Sequence, residues 1–141
     1  MLFRSQKPQP WTSGKQTTLK RILFRNTFGA PWKKSLPLET DWVSGTGLLV
    51  RKSSFFQIGG FDEKFFMYFE DQDLCLRMKK AGHQVFFLPF FVIGHFDGKS
   101  WRNPRQKKMA FYQSQDLFFQ KHRPKWEGWL LKVFRLIFKG F

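Results

Sequence analysis

The chain has 141 residues, enough for one hydrophobic core, and its 42% hydrophobic and 25% charged residues exclude a disordered chain. Twenty-five Lys and Arg against 10 Asp and Glu give a net charge of +15, a field that attracts polyanions such as nucleic acid, anionic lipid or nucleotide diphosphates. The single cysteine excludes an intrachain disulfide, and no run of about 18 uncharged apolar residues is available to cross a bilayer as a helix.

The basic residues are dispersed, with no zinc-finger spacing or helix-turn-helix pattern, so nucleic acid is a poor fit. The start, MLFRSQKPQP, has too short an apolar stretch for a signal peptide, and a lone thiol suits a reducing compartment. Together these predict a cytoplasmic protein. Twenty Phe and six Trp can pack a core, stack on sugar rings or sit at a membrane interface.

Residues 1–40 read as an irregular lead with one short helix, in which Thr18 is placed to cap LKRILFRNTF and Gly29 and Pro31 stop it. From Asp41, WVSGTGLLVRK has the texture of a strand bordered by glycine. Ser53 is placed to cap a brief helix, SSFFQIG, ended by Gly59 and Gly60. Phe61, Phe65 and Phe66 should then bring the loop against the core. EDQDLCLRMKKAG reads as a helix with acids in its first turn, Arg77, Lys79 and Lys80 in its last, and Gly82 as stop. HQVFFLP and FFVIGH are expected as buried strands on either side of a bend at Pro89. FDGKSWRNPRQKK is loop-like, and MAFYQSQDLFFQKH is a helix ended near Pro124. Residues 123–141 form an amphipathic basic helix: Trp126, Trp129, Leu130, Val133, Phe134, Ile137 and Phe141 recur at helical spacing, with Lys132, Arg135 and Lys139 away from that stripe.

Asp62, Glu63, Glu70, Asp71 and Asp73 concentrate half of the chain's acids within twelve positions. On spacing alone, Glu70 and Asp71 are either helix-terminal acids that favour the dipole, or a carboxylate base with a neighbour that orients it. Apolar walls would raise such a carboxyl's pKa and helix N–H groups would lower it, and sequence does not decide which dominates. His95 closes an apolar strand, where it serves either structure or a metal ion.

The ordered elements DWVSG, GGFDE, FFMYFEDQDLCLR, KKAG and the terminal His95 resemble the C-terminal catalytic segment of family 2 glycosyltransferases, the rhamnosyltransferase-like branch especially. The resemblance is close over 41–95 and loose to about His122. It implies an α/β protein holding part of a GT-A (Rossmann-like) fold: its C-terminal half, over 41–122, with short strands and helices. It further implies inverting transfer from a nucleotide-sugar donor to a glycan or lipid-linked acceptor. In that reading Asp71 is the base and Glu70 orients the acceptor or aids the site. Trp42, Ser44 and Gly45 border acceptor or donor, Asp73 contacts acceptor or donor or else the helix, and His95 helps hold Mg or Mn on the departing diphosphate. Trp42 as core and Gly45 as a turn residue remain equally open. Such enzymes also carry a nucleotide-binding half with an Asp-x-Asp motif, and residues 1–40 contain neither alternating strand and helix units nor that motif.

The expectation is therefore a truncated gene product or a portion of a larger enzyme, with little or no activity alone, and a separate N-terminal half is an expected partner. Cell-envelope polysaccharide synthesis, peripheral to the cytoplasmic membrane face, is the implied setting. The rival class is a non-catalytic basic protein that binds an anionic membrane surface or a partner through its C-terminal helix.

Overall fold

The computed structural model describes residues 2–4, 7–8, 12–24, 36–94 and 103–138, and these are a mixture of short strands and helices. Strands β1 (Leu2–Arg4), β2 (Lys7–Pro8) and β3 (Ser13–Gly14) precede helix α1 (Leu19–Leu23). Strands β4 (Leu38–Glu39) and β5 (Trp42–Val43) and a 3-10 turn at Gly45–Gly47 lead to α2 (Lys52–Gln57) and α3 (Glu70–Lys80). Strands β6 (Phe86–Phe87) and β7 (Ile93–Gly94) come before α4 (Pro104–His122) and α5 (Lys125–Ile137). No helix among the described residues is long and apolar enough to cross a membrane.

Three small ladders connect the strands. β1 pairs antiparallel with β2 and parallel with β7, while β3 pairs antiparallel with β5 and β4 with β6. Ser13 lies opposite Val43 and Gly14 opposite Trp42, and the N–H of Asp41 extends this ladder by donating to the Gly14 carbonyl at 3.0 Å. Part of the stretch read as an irregular lead is thus built into the sheet. Strands of two residues are too short for an alternating pattern to reveal.

Helix α3 forms where the charge pattern places it. Glu70, Asp71 and Asp73 occupy its first turn and Arg77, Lys79 and Lys80 its last, matching the macrodipole at both ends. Gly82, at φ +87°, turns the chain away. Its N–H donates to Lys79 O and that of His83 to Met78 O, each at 3.0 Å, which satisfies two carbonyls that the helix end leaves open. Cys75 packs into one core cluster with Trp42 and Val85. Leu76 leans on the larger cluster of Leu19, Phe65, Phe69, Phe118, Phe119 and Leu131. Phe118 and Phe119 are each 1% exposed, and burial of such a side chain stabilises by about 1.5–3 kcal/mol.

Thr18 caps α1 as expected, accepting from the N–H of Arg21. Residues 25–35, which include the expected stop at Gly29 and Pro31, lie outside the described residues. Other boundaries differ. α2 begins at Lys52 with Arg51 at the N-cap position and no side-chain cap, so Ser53 lies inside the helix. α4 starts at Pro104, within the run assigned to loop, because Pro at the first helical position loses no hydrogen bond and Asn103 caps the N–H of Arg105 at 2.9 Å. Of the loop aromatics, Phe65 is buried whereas Phe61 and Phe66 are exposed. Phe90, Phe91, Val92 and Ile93 are exposed too, contrary to the expected second buried strand. α5 lies within the expected 123–141 and docks through Leu131 and Glu127. The Glu127 carboxylate accepts from the N–H of Leu19 at 3.1 Å and pairs with Arg123.

Candidate active site

The site begins in the backbone that leads into α3. Tyr68 and Phe69 both adopt left-handed conformations, at φ +70° and +63°. Two successive bulky residues there cost on the order of 1–3 kcal/mol each and persist only where their surroundings hold them. The hold comes from α4. The Phe69 ring packs 5.4 Å from both Phe111 and Phe118, and the Ser114 hydroxyl donates to Met67 O at 2.6 Å. The N–H of Asp73 closes the first helical turn onto Phe69 O at 2.8 Å. In this way a core helix distant in sequence fixes the direction in which Glu70 and Asp71 emerge.

Asp71 is half-buried, and its two oxygens accept from the N–H of Gly45 at 3.1 Å and of Gln72 at 2.7 Å. Burial pushes its carboxyl above the ordinary range, and the N–H donors offset this only in part. Glu70 is raised as well, first by burial and then by the charge of Asp71. Its Oε2 is buried without a hydrogen-bond partner. A raised pKa makes the ionised carboxylate a stronger base, and proton abstraction requires that property.

Of the residues predicted for the site, the structure brings Gly45 to Asp71 and leaves Ser44 next to that contact. The Ser44 side chain is turned to its own loop, accepting from the N–H of Thr46 and sharing a hydrogen bond with the Thr46 hydroxyl. Trp42 is core: it is buried against Cys75 and Val85, and its indole N–H donates to Lys15 O at 3.1 Å. Asp73, expected to contact acceptor or the helix, is an internal anchor. It has no exposed surface, and its oxygens meet Arg77 at 2.7 Å, Lys121 at 2.8 Å and His122 at 2.6 Å. Burial alone would raise its pKa, yet the hydrogen bonds from His122, Lys121 and Arg77 hold it well below the usual carboxylate range. Two positions on from Asp71, it points roughly 200° around the helix, which explains the different roles.

His95 lies outside the described residues. Among those described, no three His, Cys, Asp or Glu side chains converge, so they do not form a metal site by themselves. An open cleft of about 490 Å³ runs along Val43, Leu49, Leu74, Cys75, Met78 and Val85 and does not include Glu70 or Asp71. Burial pushes the Cys75 thiol at its base up to about 11, so it is a packing group and not a nucleophile. Sequence reasoning missed Tyr68, Phe69 and Ser114 as residues that shape the site. No local pattern signals a left-handed aromatic pair, because the packing of α4 imposes it.

A carboxylate pair at the mouth of a helix, held by a glycine N–H and raised by burial, defines a site able to take a proton from a hydroxyl. A family model described as the N-terminal domain of galactosyltransferase matches residues 29–97. N-acetylglucosaminyl-diphospho-decaprenol L-rhamnosyltransferase of Mycobacterium tuberculosis, in strains CDC 1551 / Oshkosh and H37Rv, is 41% identical over 86 residues, or 60% of this chain and 28% of the relative. Rhamnosyltransferase WbbL of Escherichia coli K12 is 44% identical over 66 residues, or 45% of this chain and 25% of the relative. The central part of the chain is therefore similar to glycosyltransferase sequence of the family 2-like type, and the match spans about a quarter of the length of these relatives. No solved structure matches.

Proposed function

We propose that the chain supplies the acceptor side of an inverting glycosyltransferase of GT-A type, with Asp71 as general base. The observation that carries the reading is Asp71 itself, anchored by the Gly45 N–H at the head of α3 and made more basic by burial. An acceptor hydroxyl gives its proton to Asp71, its oxygen attacks the anomeric carbon, and the nucleoside diphosphate leaves from the opposite face. Glu70 lies beside the base and keeps acceptor and carboxylate in register, a role suited to its unpartnered Oε2.

The names of the relatives support rhamnose as the transferred sugar and a lipid-linked acceptor, and cell-envelope polysaccharide synthesis at the cytoplasmic membrane face is the setting that the family resemblance implies. The donor's nucleotide is bound by polypeptide outside these 141 residues, in the same or another chain. The apolar run of exposed side chains from Phe90 to Ile93 supports a packing surface for it. A divalent ion on the donor diphosphate, with His95 as one ligand, belongs to the same proposal and rests on the family resemblance.

The test is a transfer assay with a nucleotide-rhamnose donor and an N-acetylglucosaminyl-diphospho-polyprenol acceptor, run on residues 1–141 alone and together with a relative's nucleotide-binding half. No turnover is expected alone, and turnover that Asp71→Asn removes is expected in the combination. Turnover by the chain alone would overturn the incomplete-site reading. Undiminished turnover in the Asn variant would overturn the base. A non-catalytic, membrane-binding protein is the second reading, favoured by the outward tryptophans of α5.

A further inference from the structure

Helix α5 turns Glu127 and Leu131 inward and leaves Trp126, Trp129, Leu136 and Ile137 between 58% and 78% exposed. At 100° per residue these four fall within an arc of about 100°, well away from the buried pair. Lys125 and Lys132 are exposed along one edge of that arc. Arg135, by contrast, is turned to the body of the protein, where it meets Asp116 at 2.7 Å and lies over the Tyr112 ring. A soluble helix ordinarily hides its apolar face, and here a second apolar face with two indoles points to solvent.

We infer that this outer face of α5 is an interfacial membrane anchor that lies flat on an anionic bilayer surface. Indole rings favour the headgroup level, where apolar surface and an N–H are both accommodated, and the aliphatic pair extends the buried strip toward the acyl chains. The chemistry of the edge selects the occupant. Two exposed lysines on a chain of net charge +15 complement anionic headgroups, and each lysine held within a Debye length of such a surface raises binding about fivefold. A helix anchored along its length would hold the protein against the bilayer without crossing it. The inference deepens the proposed lipid-linked acceptor, since a membrane-bound substrate requires an enzyme at the same surface.

The test is co-sedimentation of the full 141-residue chain with phosphatidylcholine vesicles, with and without phosphatidylglycerol, and without donor or acceptor. Binding should require the anionic lipid and weaken as salt rises. Trp126→Ser with Trp129→Ser should lower the partition coefficient at least about tenfold. Lys125→Gln and Lys132→Gln should each lower it about fivefold. All four positions are exposed, and unchanged helical circular dichroism verifies that the variants fold. Binding retained by the double tryptophan variant, or equal binding to neutral vesicles, would overturn the proposal. So would a concentration-dependent dimer that the tryptophan variant dissociates in a chain that ignores vesicles, because the face would then cover a second copy. Vesicle binding is read without sugar transfer, so failure of either reading leaves the other standing.

Discussion

The N–H of Gly45 donates to Oδ2 of Asp71 across 3.1 Å, joining a turn after β5 to the first turn of α3 over 26 positions of sequence. The contact fixes one oxygen of the carboxylate and leaves burial as the stronger influence on its proton affinity. Asp71 is therefore costly to the fold in the ionised form that chemistry uses.

Asp71→Asn should accordingly separate activity from stability. The folded carboxyl titrates above its ordinary 3.8, so the folded state keeps a proton over a range in which the unfolded chain has released it. Stability then falls as pH rises through that range. The amide cannot ionise, and its single oxygen can accept from Gly45 while its NH2 then faces the N–H of Gln72. The variant's Tm relative to that of the parent should rise between pH 3.8 and pH 7, while transfer in the completed enzyme drops about 10²–10⁴-fold. Calorimetry at the two pH values checks the first part and the transfer assay the second.

Asp73 predicts the opposite sign. Its folded carboxyl is held below the ordinary 3.8 by His122, Lys121 and Arg77, so its contribution is complete above that value and is lost as pH falls below it. Asp73→Asn leaves the partly exposed Arg77 and Lys121 and the buried His122 ring facing a neutral amide and should cost about 1–3 kcal/mol at pH 7 by urea denaturation. A loss under 1 kcal/mol would show that α4 does not depend on this anchor.

The contrast between these two aspartates marks how far the sequence was legible. Helix α3, its acidic start, its basic end and the stop at Gly82 could be read from residue types because each acts through local backbone geometry. Thr18 and the end of α4 before Pro124 were readable for the same reason. Asp71 and Asp73 carry the same side chain in the same turn, and partners 26 and 49 positions away, together with Arg77 one turn on, distinguish base from anchor. The outward turn of Phe66 and Phe90 was likewise hidden, since hydrophobicity states what can be buried but not which side faces the core.

Two glycines, Gly45 at the site and Gly60 after α2, should respond differently to alanine. Gly60 has φ +68°, and a Cβ there would lie 3.1 Å from the Phe55 ring, so Gly60→Ala combines a left-handed penalty with a steric one and should cost about 1–3 kcal/mol. A Cβ on Gly45 would meet the Cβ of Asp71 at 3.7 Å, ordinary contact that leaves the N–H in place. Gly45→Ala should retain the fold within about 1 kcal/mol, as read by urea midpoints for both variants.

Ser114→Ala tests whether α4 shapes the site from behind. The hydroxyl is the donor to Met67 O, just ahead of the left-handed Tyr68 and Phe69. Removing it takes away one hydrogen bond to that carbonyl and should cost about 1 kcal/mol in global stability. The larger effect should be local. Amide hydrogens of residues 67–71 should exchange roughly tenfold faster while those of 74–78 stay protected, because the strained entry to α3 relaxes before the helix does. In the completed enzyme kcat should fall more than KM rises, since Ser114 positions Asp71 without touching substrate. Uniform loss of protection along α3 would reduce Ser114 to an ordinary packing contact.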